Sequence, residues 1–207
     1  MGIWVTLAAW LSIGWARLPN VVVTAESVEV VQQYQRWAAQ NGLTGAALLP
    51  ACRAWSQSFY QCFSVEEKGQ YRMVHLGDLQ RWESDLDALE MKAREVGRVA
   101  LSEHNREVVF VEGIKRPYWV FDGSKGLGAS VLLFPDELED MMGARPVLGT
   151  PARGVVVAWL PGDEELDKVV SVGLVRIFGD ATVPISSAIV QWSGGHWATW
   201  GEAKKLP

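Results

Sequence analysis

A chain of 207 residues, 49% hydrophobic and 21% charged, carries enough apolar material for a full core, which excludes disorder over most of its length. Its formal net charge of −5, with no clustered basic stretch, excludes a nucleic-acid binder, which needs cations to displace phosphate counterions. Two cysteines are too few for a disulfide-built scaffold, and Cys52 and Cys62 lack the close paired spacing of a zinc knuckle.

Residues 1–16 contain no charged side chain, and Trp4, Leu7, Leu11 and Trp15 fall at helical spacing on one apolar stripe. No cation precedes the stretch and Trp15-Ala16-Arg17 is a poor cleavage site, so it does not read as a secretory signal; it is also short for a membrane span. A core-packing helix is the expectation. The rival is a membrane or partner contact through residues 1–18, although the polar face lacks the Lys and Arg that seek anionic lipid.

Residues 21–23 read as a short strand. Thr24 or Ser27 then opens a helix to Gln40, with Val30, Tyr34, Trp37 and Ala38 on its inner face and Asn41-Gly42 as a stop. Residues 43–49 read as strand or loop, ended by Pro50. Residues 58–65 alternate around Phe59, Cys62 and Phe63, turn at Glu67-Lys68-Gly69 and continue through residues 71–75 as a hairpin. Across the predicted turn Cys52 and Cys62 could meet as a disulfide; the reading taken is two buried thiols in a reducing cytoplasm.

Ser84-x-x-Asp87 resembles a capping box opening a helix to about Ser102, with Leu86, Leu89, Ala93, Val96 and Ala100 inward. Strands follow over residues 108–111 and 118–121, then a short helix from Pro135 to Met142-Gly143. Residues 153–160, nearly continuous in Val, predict a central strand. A helix over residues 163–178 and a hairpin of residues 188–192 and 196–200 over Gly194-Gly195 complete the order. The fold class is α+β: a mainly antiparallel, mixed sheet with several packing helices in a single domain. Residues 1–45 form an N-terminal helical segment packed on the main body, residues 46–201 the α+β domain, and residues 202–207 a frayed tail.

Several motifs stand in a recognisable succession: Leu49-Pro50-Ala51-Cys52-Arg53, Phe59-Tyr60-Gln61-Cys62-Phe63, and Asp78-Leu79-Gln80-Arg81-Trp82 before the long helix. Ala129-Ser130-Val131-Leu132-Leu133-Phe134-Pro135, Thr150-Pro151-Ala152-Arg153-Gly154, Pro184-Ile185-Ser186-Ser187 and Gly195-His196-Trp197 follow. This order resembles the YtpQ-like family of uncharacterised bacterial proteins, a domain of unknown function, and leaves the first forty or so residues outside the match. The resemblance implies a bacterial protein and supplies no catalytic residues. The chain departs from the family pattern at Gly154, where an Asp is expected, and in the ending of the long helix.

Arg153, between Pro151 and Gly154, is the candidate anion-binding residue, because its planar fork suits a carboxylate or phosphate; the competing reading pins it to a neighbouring carboxylate. Gly123-Ser124-Lys125-Gly126-Leu127-Gly128 lacks the Gly-Lys-Ser/Thr ending of a phosphate-binding loop and reads as a plain loop. His75, His104 and His196 have no metal-ligand spacing, so no metal or other cofactor is expected. A Cys62–His75 nucleophile pair lacks a third, orienting residue.

With eleven tryptophans, not all can be deep core. Trp192, Trp197 and Trp200 surround one hairpin; with His196 and with Trp159 on the adjacent strand they form the candidate partner site, a stacking platform or interface hot spot. The competing reading is a cross-strand cluster that stabilises the hairpin. The acidic runs at residues 136–140 and 163–167 read as first turns of helices; as a surface they would suit a basic partner. The functional expectation is a non-enzymatic, cytoplasmic protein-binding domain of adaptor or immunity-like character. The alternatives are a hydrolase or transferase gripping an anionic substrate through Arg153, and a peripheral membrane protein tethered by residues 1–18.

Overall fold

The computed structural model describes residues 18–42, 45, 48–68, 70–102, 105–122 and 128–203. The expectations for the apolar stretch at residues 1–16, for His104, for the loop at residues 123–127 and for the end of the tail lie outside them.

The chain enters through β1 (Val21–Ser27), whose last residue caps α1 (Val28–Gln40): the Ser27 hydroxyl accepts from the Val30 amide at 3.2 Å. β2 (Cys52–Ala54), β3 (Phe59–Glu67) and β4 (Gln70–Met73) complete a four-stranded antiparallel sheet. β3 lies at its centre, β1 on one side, and β2 and β4 share the other. β1 is fully buried along its length, so residues 21–27 belong to the main body and not to a separate helical segment. Alternation sends Val21, Val23, Phe63 and Val65 to a face covered by Leu89 and Ala93 of α3 (Leu86–Gly97). α2 (Leu76–Trp82) is the short connection between β4 and α3.

The second sheet has six antiparallel strands. β5 (Glu107–Val109) and β6 (Tyr118–Asp122) come first, then β7 (Val147–Ala152), β8 (Val155–Trp159), β9 (Ala188–Ser193) and β10 (His196–Glu202). Their spatial order is β10-β9-β7-β8-β6-β5, so the Val-rich strand is central as expected. α5 (Glu164–Asp180) packs Leu166, Val170 and Leu174 against Val147, Val157, Trp159 and Ile189 on one face. The other face meets α4 (Pro135–Met142) and a fully buried 3-10 segment, Gly128–Leu133, which also contacts β1 and α3. That segment joins the two sheets through one continuous core. At Gly128 a Cβ would lie 1.7 Å from the Gly154 carbonyl oxygen, so only glycine allows the crossing.

The fold is therefore α+β, antiparallel throughout the pairings seen among the described residues. Local details differ from expectation. α1 buries Val31 and Ala38, while Val30 and Trp37 face solvent, because the close approach to the sheet admits the small alanine and not the indole. Asp85, not Ser84, caps α3, accepting from the Ala88 amide at 2.8 Å. β7 runs through Gly149 and Pro151, residues that carry no predicted strand; its register slips between Gly149 and Ala152, and a bulge tolerates proline. The turn itself is Arg153-Gly154, with Gly154 at φ 81°. The acidic runs do supply the first turns of α4 and α5, and Asp163 caps α5.

The largest correction concerns the cysteines. Cys52 and Cys62 form a disulfide, not two thiols. They are directly opposite in the β2–β3 register with Cα atoms 4.2 Å apart, a closeness that antiparallel strands reach at their non-hydrogen-bonded pairs.

Candidate functional site

The tryptophans do not assemble as one platform. Trp159 is completely buried on the α5 face, and its indole N–H donates to Asp167 at 2.7 Å. Trp197 lies on the opposite face, 2% exposed, donating to the Leu132 carbonyl at 3.1 Å. Trp192 is its cross-strand partner, half-buried, with the rings 5.2 Å apart and edge-on. Trp200 is exposed at the β-bulge between Thr199 and Gly201. The Trp192–Trp197 pair thus anchors the hairpin to the 3-10 segment, and Trp159 belongs to the core. Of the five residues proposed as a partner site, Trp192, His196 and Trp197 meet at one recess system; Trp159 and Trp200 do not join it.

Arg153 turns to a carboxylate. Its guanidinium donates to Glu26 at 2.7 Å, and Glu26 is only 1% exposed, so the pair ties the β7–β8 turn to β1. With this buried acid as its partner, the geometry is that of a clasp between the two sheets and not of an open anion grip. The Cys62–His75 nucleophile is likewise removed, since Cys62 carries no thiol.

What the fold does build is a groove between the sheets, made of two adjoining recesses that share Ala54, Trp55 and His196. The larger, about 760 Å³, runs between Val28 and Gln32 of α1, the β2–β3 turn at residues 54–57, and residues 196–199 of β10. The smaller, about 400 Å³, is lined by Arg53, Gln61, Glu90 and Arg94 together with Trp55, Trp192 and His196. Its polar groups hold one another. Arg53 donates to Gln61 at 2.7 Å and to Asp87 at 2.9 Å and pairs with Glu90; Arg94 donates to the same Glu90 at 3.1 Å. The β2–β3 turn is self-supporting: the amides of Trp55 and Ser56 donate to the Phe59 carbonyl, both at 3.2 Å, and Trp55 meets Phe59 edge-on.

The larger recess touches four successive residues of β10. A recess on a sheet face touches every second residue; one along an edge touches consecutive ones. β10 is the edge strand, hydrogen-bonded to β9 alone among the described residues. The two-residue turn Gly194-Gly195, at φ 58° and 83°, closes on the pair Ser193–His196. In such a hairpin that pair is hydrogen-bonded, as is the next alternate pair, Ala198–Gln191. The N–H and C=O groups of Trp197 and Thr199 therefore point away from β9, along the recess.

A second polar cluster lies at the start of α2. The buried Asp78 accepts from Arg72 at 2.7 Å and from the His75 amide at 2.9 Å, and pairs with Arg81. Burial alone would raise its carboxyl, but these bonds and the Arg72 charge outweigh it and hold Asp78 below the usual carboxylate value. His75 is pushed down by burial, partly offset by Asp78, and its Nε2 lies 3.4 Å from the Tyr34 hydroxyl. This cluster caps α2 and seals the β4–α2 junction. Among the described residues no group of His, Cys, Asp and Glu is placed to hold a metal, and no helix is long and apolar enough to cross a membrane.

No family model, curated protein or solved structure matches this chain. Sequence reasoning reached Trp192, His196 and Trp197 from their density around one hairpin. It missed Trp55, Gln61 and Glu90; the Cys52–Cys62 spacing gave a signal for Trp55 and Gln61, by bracketing the turn that forms the opposite wall, and nothing pointed to Glu90 on α3.

Proposed function

We propose that this protein binds an extended peptide segment of another protein by adding it as a seventh strand to β10. One observation carries the reading: the edge of β10, open among the described residues and with the main-chain groups of Trp197 and Thr199 directed outward, forms one side of a groove. Unpaired main-chain donors and acceptors in a row are complementary to another extended main chain, and the pockets beside them select side chains. The bulge after Thr199 limits the open stretch to residues 196–199, the same residues that line the recess. The mutual bonding of Arg53, Gln61, Glu90 and Arg94 supports a fixed wall, not a reacting centre. The alternative of an anionic substrate at Arg153 loses support to its pairing with Glu26. The expectation of a reducing cytoplasm rested on two free thiols, and the Cys52–Cys62 bond takes that support away.

The test is selection from a random heptapeptide library displayed on phage. Selected peptides should compete for one site and lose binding when N-methylated at alternate residues in one register only. Thr199→Pro, which removes an outward N–H and spares the β9 ladder, should abolish binding without lowering the melting temperature by more than a few degrees. Peptides insensitive both to N-methylation and to Thr199→Pro would refute strand addition.

A further inference from the structure

Resting on the strand-addition reading, we infer that the Cys52–Cys62 bond holds the groove wall in its binding form, so that oxidation of these thiols enables peptide binding and reduction by a dithiol disables it. The ring closed by the bond contains residues 53–61. Ala54, Trp55, Ser56, Gln57 and Tyr60 of that ring line the larger recess, and Arg53, Ala54, Trp55 and Gln61 line the smaller. The whole β2–β3 wall of the site is thus inside one covalent loop.

The outer strand of that wall is short and held from one side. β2 has three residues and, among the described residues, pairs only with β3; the bond joins the first of them to the sheet centre. Beyond that pairing it is tied by the Trp55 and Ser56 amides on the Phe59 carbonyl, by the Ala51 amide on the Val74 carbonyl, and by Arg53, whose partner Asp87 is 85% exposed and contributes little in water. Cys62 is completely buried, whereas Cys52 is partly exposed. A thiolate of the dithiol attacks the Cys52 sulfur, and Cys62 leaves as a thiolate that takes up a proton. The second thiol of the reductant then attacks the mixed disulfide and releases Cys52, leaving two protein thiols and one oxidised reductant, a two-electron exchange. A bond placed in this way persists in an oxidising compartment and opens in a reducing one.

Hydrogen exchange of the full chain, oxidised and reduced with dithiothreitol, reads the wall directly. Reduction should accelerate exchange of amides within residues 53–61 by about tenfold or more and leave β6 to β9 unchanged. A library-selected peptide should lose about tenfold or more in affinity for the reduced chain and regain it on reoxidation. The Cys52→Ser/Cys62→Ser chain should behave as the reduced form; should it fail to fold, the reversible cycle of the unaltered protein gives the same comparison. Unchanged exchange at residues 53–61, or equal peptide affinity in both redox states, would overturn the inference. A library that yields no groove peptide counts against strand addition, while the exchange comparison still decides whether the bond governs the wall.

Discussion

Trp197→Ala separates an indole that holds the fold from one that meets a partner. Trp197 is 2% exposed, fills the core between β10 and the 3-10 segment, and donates to the Leu132 carbonyl at 3.1 Å. Truncating a buried aromatic costs about 3–5 kcal/mol through lost transfer free energy and the cavity left behind. Stranding the Leu132 carbonyl adds roughly 1 kcal/mol at the low end for an unsatisfied buried acceptor. The sum, about 4–6 kcal/mol, approaches the whole stability of a domain at the lower end of the usual range. For a chain of this size it corresponds to a fall in Tm of roughly 10–20 °C. Trp192→Ala, at a half-buried position, should cost about 1–2 kcal/mol, including the edge-on ring contact. Urea denaturation of the three proteins, followed by circular dichroism, gives both numbers. A Trp197→Ala chain within about 1 kcal/mol of the parent would refute the placement of this side chain as a core anchor. It also follows that Trp192, not Trp197, is the position at which to probe the groove without unfolding it.

Arg153→Ala should destabilise by about 2 kcal/mol, discounted because the guanidinium is 44% exposed, since it leaves the Glu26 carboxylate buried and unpaired. The Arg153→Ala/Glu26→Gln double variant should recover part of that loss in a denaturation cycle, and an additive pair would show that the two groups do not interact. Asp78 is ionised more readily in the folded chain than in the unfolded one, so its contribution is present above about pH 4 and is lost as the pH falls through the lowered folded value. Asp78→Asn should accordingly cost about 2 kcal/mol at pH 7 and much less near pH 2, measured by melts across that range; a pH-independent difference would contradict the linkage. Gly128→Ala places a Cβ against the Gly154 carbonyl oxygen, backbone against backbone, and should destabilise by several kcal/mol or prevent soluble expression. Gly162→Ala, with open space around its Cβ, serves as the control for a glycine whose cost is its positive φ alone.

Much of the local structure was legible in the sequence because its signals act over a few residues. Ser27, Asp163 and Pro135 announce helix starts, Gly143 and the Gly194-Gly195 pair announce a helix end and a hairpin, and the Val-rich run announces a central strand. β2 was not legible, because three residues show no period. β7 was hidden by the glycine and proline within it, and the inner face of α1 was misread because its largest apolar residue, Trp37, is exposed and the buried valine is Val31, not Val30.

The candidate site was legible only in half. The hairpin carrying Trp192, His196 and Trp197 declares itself by composition, but that Trp197 and not its same-face partner Trp192 reaches the Leu132 carbonyl is set by the placement of the 3-10 segment. By itself the sequence determined α1, α3, α4 and α5, the hairpins and the α+β class, since propensity, capping and turn chemistry are properties of neighbouring residues; α2 and the 3-10 segment were not among its predictions. Only the tertiary structure decided that Cys52 faces Cys62, that Arg153 reaches Glu26 across 127 positions, and that α1, the β2–β3 turn and β10 share one groove. Those pairings are fixed when every apolar face is buried at once, and a one-residue slip in any strand would turn its buried side chains to the other face.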